Sequence, residues 1–152
     1  MSSKYQSVHQ SPEGPGDARP TAHQIIEDEQ VQGKWSGKTV LVTGTSSGLG
    51  VETAKALLET GATLNLTARD LNKAKSALGS ILDNPRVKLL ELDLNSLASV
   101  RRCADAFLED SHNLNIFIGN AGVMATPEGR TEDGHETQFG TNHLAHFLLI
   151  QL

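Results

Sequence analysis

The sequence predicts an α/β fold, a doubly wound parallel sheet carried incompletely, as roughly four βα units. Three observations predict it. Four short apolar runs alternate with amphipathic helical stretches, "TGTSSGLG" lies directly between the first run and the first helix, and 152 residues suffice for one core but not two.

Residues 1–20 are rich in Ser, Gln, Pro and Gly without a hydrophobic period, and read as a disordered leader. Residues 21–32 are expected to form a short helix or linker, because Thr21 and Gln24 stand at capping-box spacing ahead of Ile25 and Ile26. The folded unit is assigned to 33–152. "TVLVTG", Thr39 to Gly44, is a β-branched run closed by glycine, the pattern of a buried strand. The following "LGVETAKALLETGA" puts Leu49, Thr53, Ala56, Leu57 and Thr60 at helical spacing and stops at Gly61.

The pair then repeats. "TLNLTAR", Thr63 to Arg69, reads as a second strand, and "DLNKAKSALGSIL" as a helix with Asp70 at its N-cap. "RVKLLELDL", Arg86 to Leu94, and "SLASVRRCADAFLED", Ser96 to Asp110, give a third strand and helix. "LNIFIGNAG", Leu114 to Gly122, gives a fourth strand ending in a Gly-containing turn, and a last helix begins near Glu136. Apolar strands alternating with helices call for right-handed crossovers and a sheet buried on both faces.

Composition excludes several function classes. A net charge of -5 without a block of Lys and Arg offers no footprint for nucleic acid or an anionic membrane surface. The apolar stretch 144–152 is too short to span a bilayer. Cys103 is the only cysteine, which rules out an internal disulfide and a thiolate metal cluster and suits a cytoplasmic setting. In its predicted amphipathic helix, Cys103 reads as a buried thiol rather than a nucleophile. His143 and His146 stand at i, i+3, but no further ligand motif accompanies them; no metal site is expected, and both are read as helix-surface and packing residues. Asp133, His135 and Glu136 read as a solvated turn into the last helix.

The chemistry lies in "TGTSSGLG", Thr43 to Gly50. Gly44 suits the tight turn, Gly48 a close approach of backbone to ligand, and Gly50 close packing of helix on strand, so that the helix N–H groups face an anion. This is a pyrophosphate cradle. A Walker A loop is excluded, because Leu49 stands where Gly-Lys would be needed. At the end of the second strand, a carboxylate at Asp70 would select NAD and a guanidinium at Arg69 would select the 2′-phosphate of NADP. NADP is the expected cofactor and NAD the less favoured one, since Asp70 is already explained as an N-cap. Lys73 either adds a cation to that phosphate site or lies on a solvated helix face.

"TGTSSGLG", "LDL" at Leu92 to Leu94, "GNAG" at Gly119 to Gly122 and "TNHLAHFLL" at Thr141 to Leu149 resemble, in order and spacing, the motifs of the short-chain dehydrogenase/reductase family. The retinol-dehydrogenase-like branch, to which the WW-domain oxidoreductases are similar, is the most alike, and the resemblance covers about residues 33–152. It implies a Rossmann-type domain in which Gly44, Ser46, Ser47, Leu49 and Gly50 surround the pyrophosphate and its riboses. Asp93 and Leu94 would then contact the adenine, Asn120, Ala121 and Gly122 would line the nicotinamide-side ribose, and Asn142 would be the catalytic asparagine holding a water of a proton relay. "GNAG" departs from the family's usual "NNAG" at Gly119, a difference of structural rather than chemical weight.

The resemblance also implies a Ser, a Tyr and a Lys four residues after the Tyr. None of these is supplied here: Tyr5, the only tyrosine, lies in the leader, and no Tyr-x-x-x-Lys occurs. The residues therefore read as the truncated cofactor half of an NADP-dependent oxidoreductase acting on a lipophilic alcohol or ketone, inactive by themselves. Its uncovered sheet edge would permit self-association. The alternative is a non-catalytic nucleotide-binding or partner-binding module.

Overall fold

The computed structural model describes residues 3–152. Four strands, β1 (Thr39–Thr43), β2 (Thr63–Ala68), β3 (Val87–Glu91) and β4 (Ile116–Ile118), form one parallel sheet in the order β3-β2-β1-β4. The order reverses direction between β1 and β4, and it is at such a switch point that open α/β sheets bind ligands.

Alternating side chains on the strands build two cores. Val40, Val42, Leu64 and Leu66 face helices α2 (Leu49–Glu59) and α3 (Leu71–Leu78), packing on Val51, Ala54, Leu57, Ala74 and Leu78. Leu41 faces the opposite way, toward Val100, Cys103, Ala104 and Phe107 of α4 (Leu97–Asp110) and Ala145 and Leu149 of the last helix. Helices on both faces explain why every residue of β1 is buried and why the strand reads as a continuous apolar run.

The fourth strand ends where its Gly-containing turn begins, at Gly119. Only Ile116, Phe117 and Ile118 pair, in register with Val40, Leu41 and Val42, and Asn120 N then donates to Ile118 O as the chain turns out of the sheet. Strand β3 likewise stops at Glu91, before the turn in which Asp93 Oδ1 accepts from Asn95 N at 2.9 Å. Among the described residues, β4 has no strand on its outer side.

Before the sheet, α1 (Ala22–Asp28) is capped by Thr21, whose Oγ1 accepts from Gln24 N at 3.1 Å. The reciprocal half of a capping box is not made, because Gln24 Nε2 donates to Asp28 Oδ1 at 3.0 Å instead. For residues 3–20 the structure has two one-turn 3₁₀ helices, with the Tyr5 hydroxyl donating to Asp28 Oδ2 at 3.0 Å.

Asp70 caps α3 as expected, its Oδ1 accepting from Lys73 N at 2.9 Å. Asp70→Ala should therefore cost about 1 kcal/mol, read as a lower urea midpoint with an unchanged slope. An unaltered midpoint would mean that the cap contributes nothing.

The final helical stretch is compound. Thr137–Phe139 forms α5, Gly140–Leu144 takes π geometry with Ala145 N donating to Gly140 O, and Ala145–Gln151 forms α6. Glu136 caps it by accepting from Gln138 N at 2.8 Å and Phe139 N at 2.7 Å, bonds that hold its carboxyl below the usual range. Asp133 Oδ2 accepts from Leu97 N at 2.8 Å and so caps α4 from 36 residues away, while Ser96 at the N-cap position makes no side-chain bond. The acidic turn is thus a pair of helix caps. Among the described residues, no helix is long and apolar enough to cross a membrane.

Candidate cofactor-binding site

A cleft of about 610 Å³ opens at the carboxyl ends of the strands, within the ~300–1,000 Å³ range usual for ligand sites. One end of it is the turn between β1 and α2. Gly44 has φ of 75°, a left-handed value favouring glycine, and its N–H and that of Thr45 both donate to Thr67 O at 3.0 Å. Gly50, at the first turn of α2, packs so tightly that a β-carbon there would overlap the Gly44 carbonyl oxygen. No side chain caps the start of α2, which leaves its first amides to an anion.

Ser46, Ser47, Leu49, Arg69, Lys73, Asp93, Leu94, Asn120, Ala121 and Gly122 join Gly44 and Gly50 around this cleft. Leu49 is 80 % exposed, an apolar side chain of a helix start laid open to the cleft rather than to the core. Gly48 does not line the cleft; it is the N-cap of α2, with nothing within 4 Å of where a β-carbon would stand. Another end is formed by Arg69, Asp70 and Lys73, where the two cations are exposed and Asp70 Oδ1 caps α3.

Asn120 closes the opposite wall as a clamp. Its Nδ2 donates to Thr43 O at 2.9 Å and to Gly44 O at 3.1 Å, tying the fourth-strand turn to the glycine turn. Ala121 N donates to Thr43 Oγ1 at 3.0 Å. Asn142 lies behind this wall rather than in its lining: its Oδ1 accepts from Val123 N at 2.8 Å and its Nδ2 donates to Val123 O at 2.7 Å. Both polar atoms of its side chain thus hold the chain that follows Gly122.

The two histidines part company. His143 stacks between Phe139 and Phe147 on the exposed side of the helix, whereas His146 is buried with Nε2 2.9 Å from Thr43 Oγ1. Cys103 sits in the core beneath α4, where burial pushes its thiol up to about 11. Among the described residues, no cluster of His, Cys, Asp and Glu could hold a metal.

Five lining residues were not among the predicted contacts: Thr67, Ala68, Leu92, Val123 and Thr141. Thr67 and Ala68 were legible in principle, as the last residues of the strand before Arg69. The Thr67 hydroxyl is buried without a partner among the described residues. An orphaned hydroxyl, uncapped helix amides and a turn that tolerates no β-carbon all fit a dinucleotide phosphate group.

Comparison with known proteins agrees with this geometry. The family model for short chain dehydrogenase matches residues 38–152. The chain is 48% identical over 149 residues to "Short-chain dehydrogenase/reductase prx1" of Penicillium roqueforti, covering 98% of this chain and 44% of that one. It is 45% identical over 119 residues to human "Retinol dehydrogenase 13", covering 76% of this chain and 36% of the relative. Among solved structures, the "Pseudomonas aeruginosa RhlG/NADP active-site complex" superposes with a TM-score of 0.64 at 34% identity, over 76% of this chain and 46% of that one. A metagenomic short-chain oxidoreductase in complex with NADP gives 0.65 at 27% identity, over 77% and 55%. The chain spans less than half the length of these curated relatives. A Rossmann-type sheet in the order β3-β2-β1-β4, a glycine turn under an uncapped helix and a family match across the whole sheet lead to one conclusion: the chain belongs to the short-chain dehydrogenase/reductase family.

Proposed function

We propose that this chain is the NADP(H)-binding half of an oxidoreductase that moves a hydride between nicotinamide and a lipophilic alcohol or ketone. The observation that carries the cofactor choice is the adenosine end of the cleft, where Arg69 and Lys73 stand exposed while Asp70 Oδ1 accepts from the Lys73 amide. A 2′-phosphate would meet two cations there, whereas a bare ribose would share the one carboxylate with the helix cap.

Bound NADP(H) supplies or accepts the hydride. The residues present bind and orient it: the Gly44 turn and the start of α2 hold the phosphates, Arg69 and Lys73 hold the 2′-phosphate, and the Asn120–Gly122 turn lines the nicotinamide-side ribose. Asn142 fixes the position of Val123 and, through it, the far wall of the cleft. The single buried Cys103 suits a reducing, cytoplasmic setting.

Titration with NADPH and NADH tests the proposal. Arg69→Ala should weaken NADPH about 10- to 150-fold, the range for a charge-assisted hydrogen bond, and leave NADH affected by about twofold or less. Equal weakening of both cofactors would overturn the NADP assignment. The same chain should turn over no ketone, because it carries no Tyr-x-x-x-Lys; robust reduction by it would overturn the assignment of these residues to binding alone.

A further inference from the structure

Behind the nicotinamide-side wall lies a buried polar chain that no cofactor contact explains. His146 is 8% exposed, with Nδ1 3.0 Å from the Asn142 carbonyl oxygen and Nε2 2.9 Å from Thr43 Oγ1. A carbonyl only accepts, so Nδ1 carries the proton and Nε2 of the neutral ring accepts. The Thr43 hydroxyl then donates to Nε2, which leaves its oxygen to accept from Ala121 N at 3.0 Å. Every donor in this sequence of bonds has an acceptor, and Thr43 is fully buried.

Gly119 packs beside the imidazole. A β-carbon there would lie 3.2 Å from Phe117 Cε1, a tight contact, and 3.4 Å from His146 Cδ2, an ordinary one. The Phe117 ring meets the imidazole edge to face with centroids 6.1 Å apart.

We infer that His146 is a positioning residue of the cofactor site: its neutral Nδ1–H imidazole orients the Thr43 hydroxyl, and through it fixes the Ala121 amide and the turn that lines the nicotinamide-side ribose. A protonated ring would point Nε2–H at Thr43 Oγ1, which already accepts from Ala121, and would leave the hydroxyl proton unplaced in a buried site. The groups facing the ring are Thr43 from β1, Phe117 from β4, Gly119 from the turn, and the backbone carbonyls of Thr141 and Asn142 from its own helix. Among the described residues no charged side chain is hydrogen-bonded to or ion-paired with it. Burial accordingly holds its pKa below the ordinary histidine value. The sign follows: as pH falls through the unfolded value of about 6.5, the unfolded chain takes up a proton that the folded chain refuses, so stability falls with pH.

The inference deepens the cofactor reading, and two of its tests are independent of it. Nitrogen-15 correlation spectra of the wild-type imidazoles should show one neutral ring in the Nδ1–H form that persists below about pH 6; an Nε2–H ring, or one titrating at the ordinary value, would overturn the inference. Amide exchange at Ala121 should quicken about tenfold in Thr43→Val and in His146→Phe, with Thr43→Ser restoring protection. Unchanged exchange in the folded Val variant would overturn it, whatever the stability of the Phe variant. For cofactor binding, the wild type should lose NADPH affinity on acidification, and His146→Phe should weaken NADPH about tenfold at neutral pH and abolish that pH dependence. Failure of the wild type to bind NADPH would refute the cofactor reading, while the tautomer and exchange results would still decide the role of His146.

Discussion

Gly50→Ala should abolish measurable NADPH binding and weaken the fold in the same stroke. The added β-carbon overlaps the Gly44 carbonyl oxygen and lies 2.7 Å from Asn120 Nδ2. Neither neighbour can swing aside, since one is backbone and the other is anchored to Thr43 O and Gly44 O. Relief requires α2 to lift from the sheet or the glycine turn to open, and either displaces the amides aimed at the phosphates. Overpacking of this kind costs ~1–3 kcal/mol, and loss of the cradle should lower NADPH affinity by at least about a hundredfold. Urea unfolding followed at Trp35, the single tryptophan, reads the first effect and NADPH titration the second. A folded variant that binds NADPH as the wild type does would show that the phosphates are held elsewhere.

Leu66→Ala should be the most destabilising truncation of the sheet. Leu66 is fully buried in β2, the strand paired on both sides, opposite Val42 on β1 and Leu89 on β3. It faces the core that includes Ala54 and Leu57 of α2 and Ala74 and Leu78 of α3, so the void left behind has walls held by two helices and three strands. Removal of a leucine from such a site costs about 2–5 kcal/mol. Trp35 packs against the same core and will report the shift in urea midpoint. A change under about 1 kcal/mol would mean that the helices close over the gap.

How far the fold was legible follows from how local its causes are. β1, α2, β2 and α3 were readable with their boundaries nearly right, because a β-branched run, a glycine turn and an Asp N-cap act within a few residues of one another. The start of β4 was less so: Leu114 and Asn115 belong to the same run, while register pairing begins at Ile116, the partner of Val40. Asp133 and Glu136 looked like a solvated turn because the amide that Asp133 caps belongs to Leu97. The glycines and Arg69 of the cleft were legible from strand-turn-helix context. Asn120 as a clamp, and His146 as the inward member of a histidine pair, depend on contacts with Thr43 across 77 and 103 residues. No window of helical or strand period reaches that far.

Those same long-range bonds have a consequence for how long the molecule lasts. The glycine turn and the fourth-strand turn are hydrogen-bonded through Thr43, Gly44, Asn120 and Ala121, and β4 adds three paired residues to hold them together. A ligand lying across both turns binds the closed form alone, and at a hundredfold excess over its dissociation constant it adds about 2.7 kcal/mol against opening. On the proposed cofactor reading, residence time against proteases would follow the nucleotide supply, and depletion of that pool would shorten it.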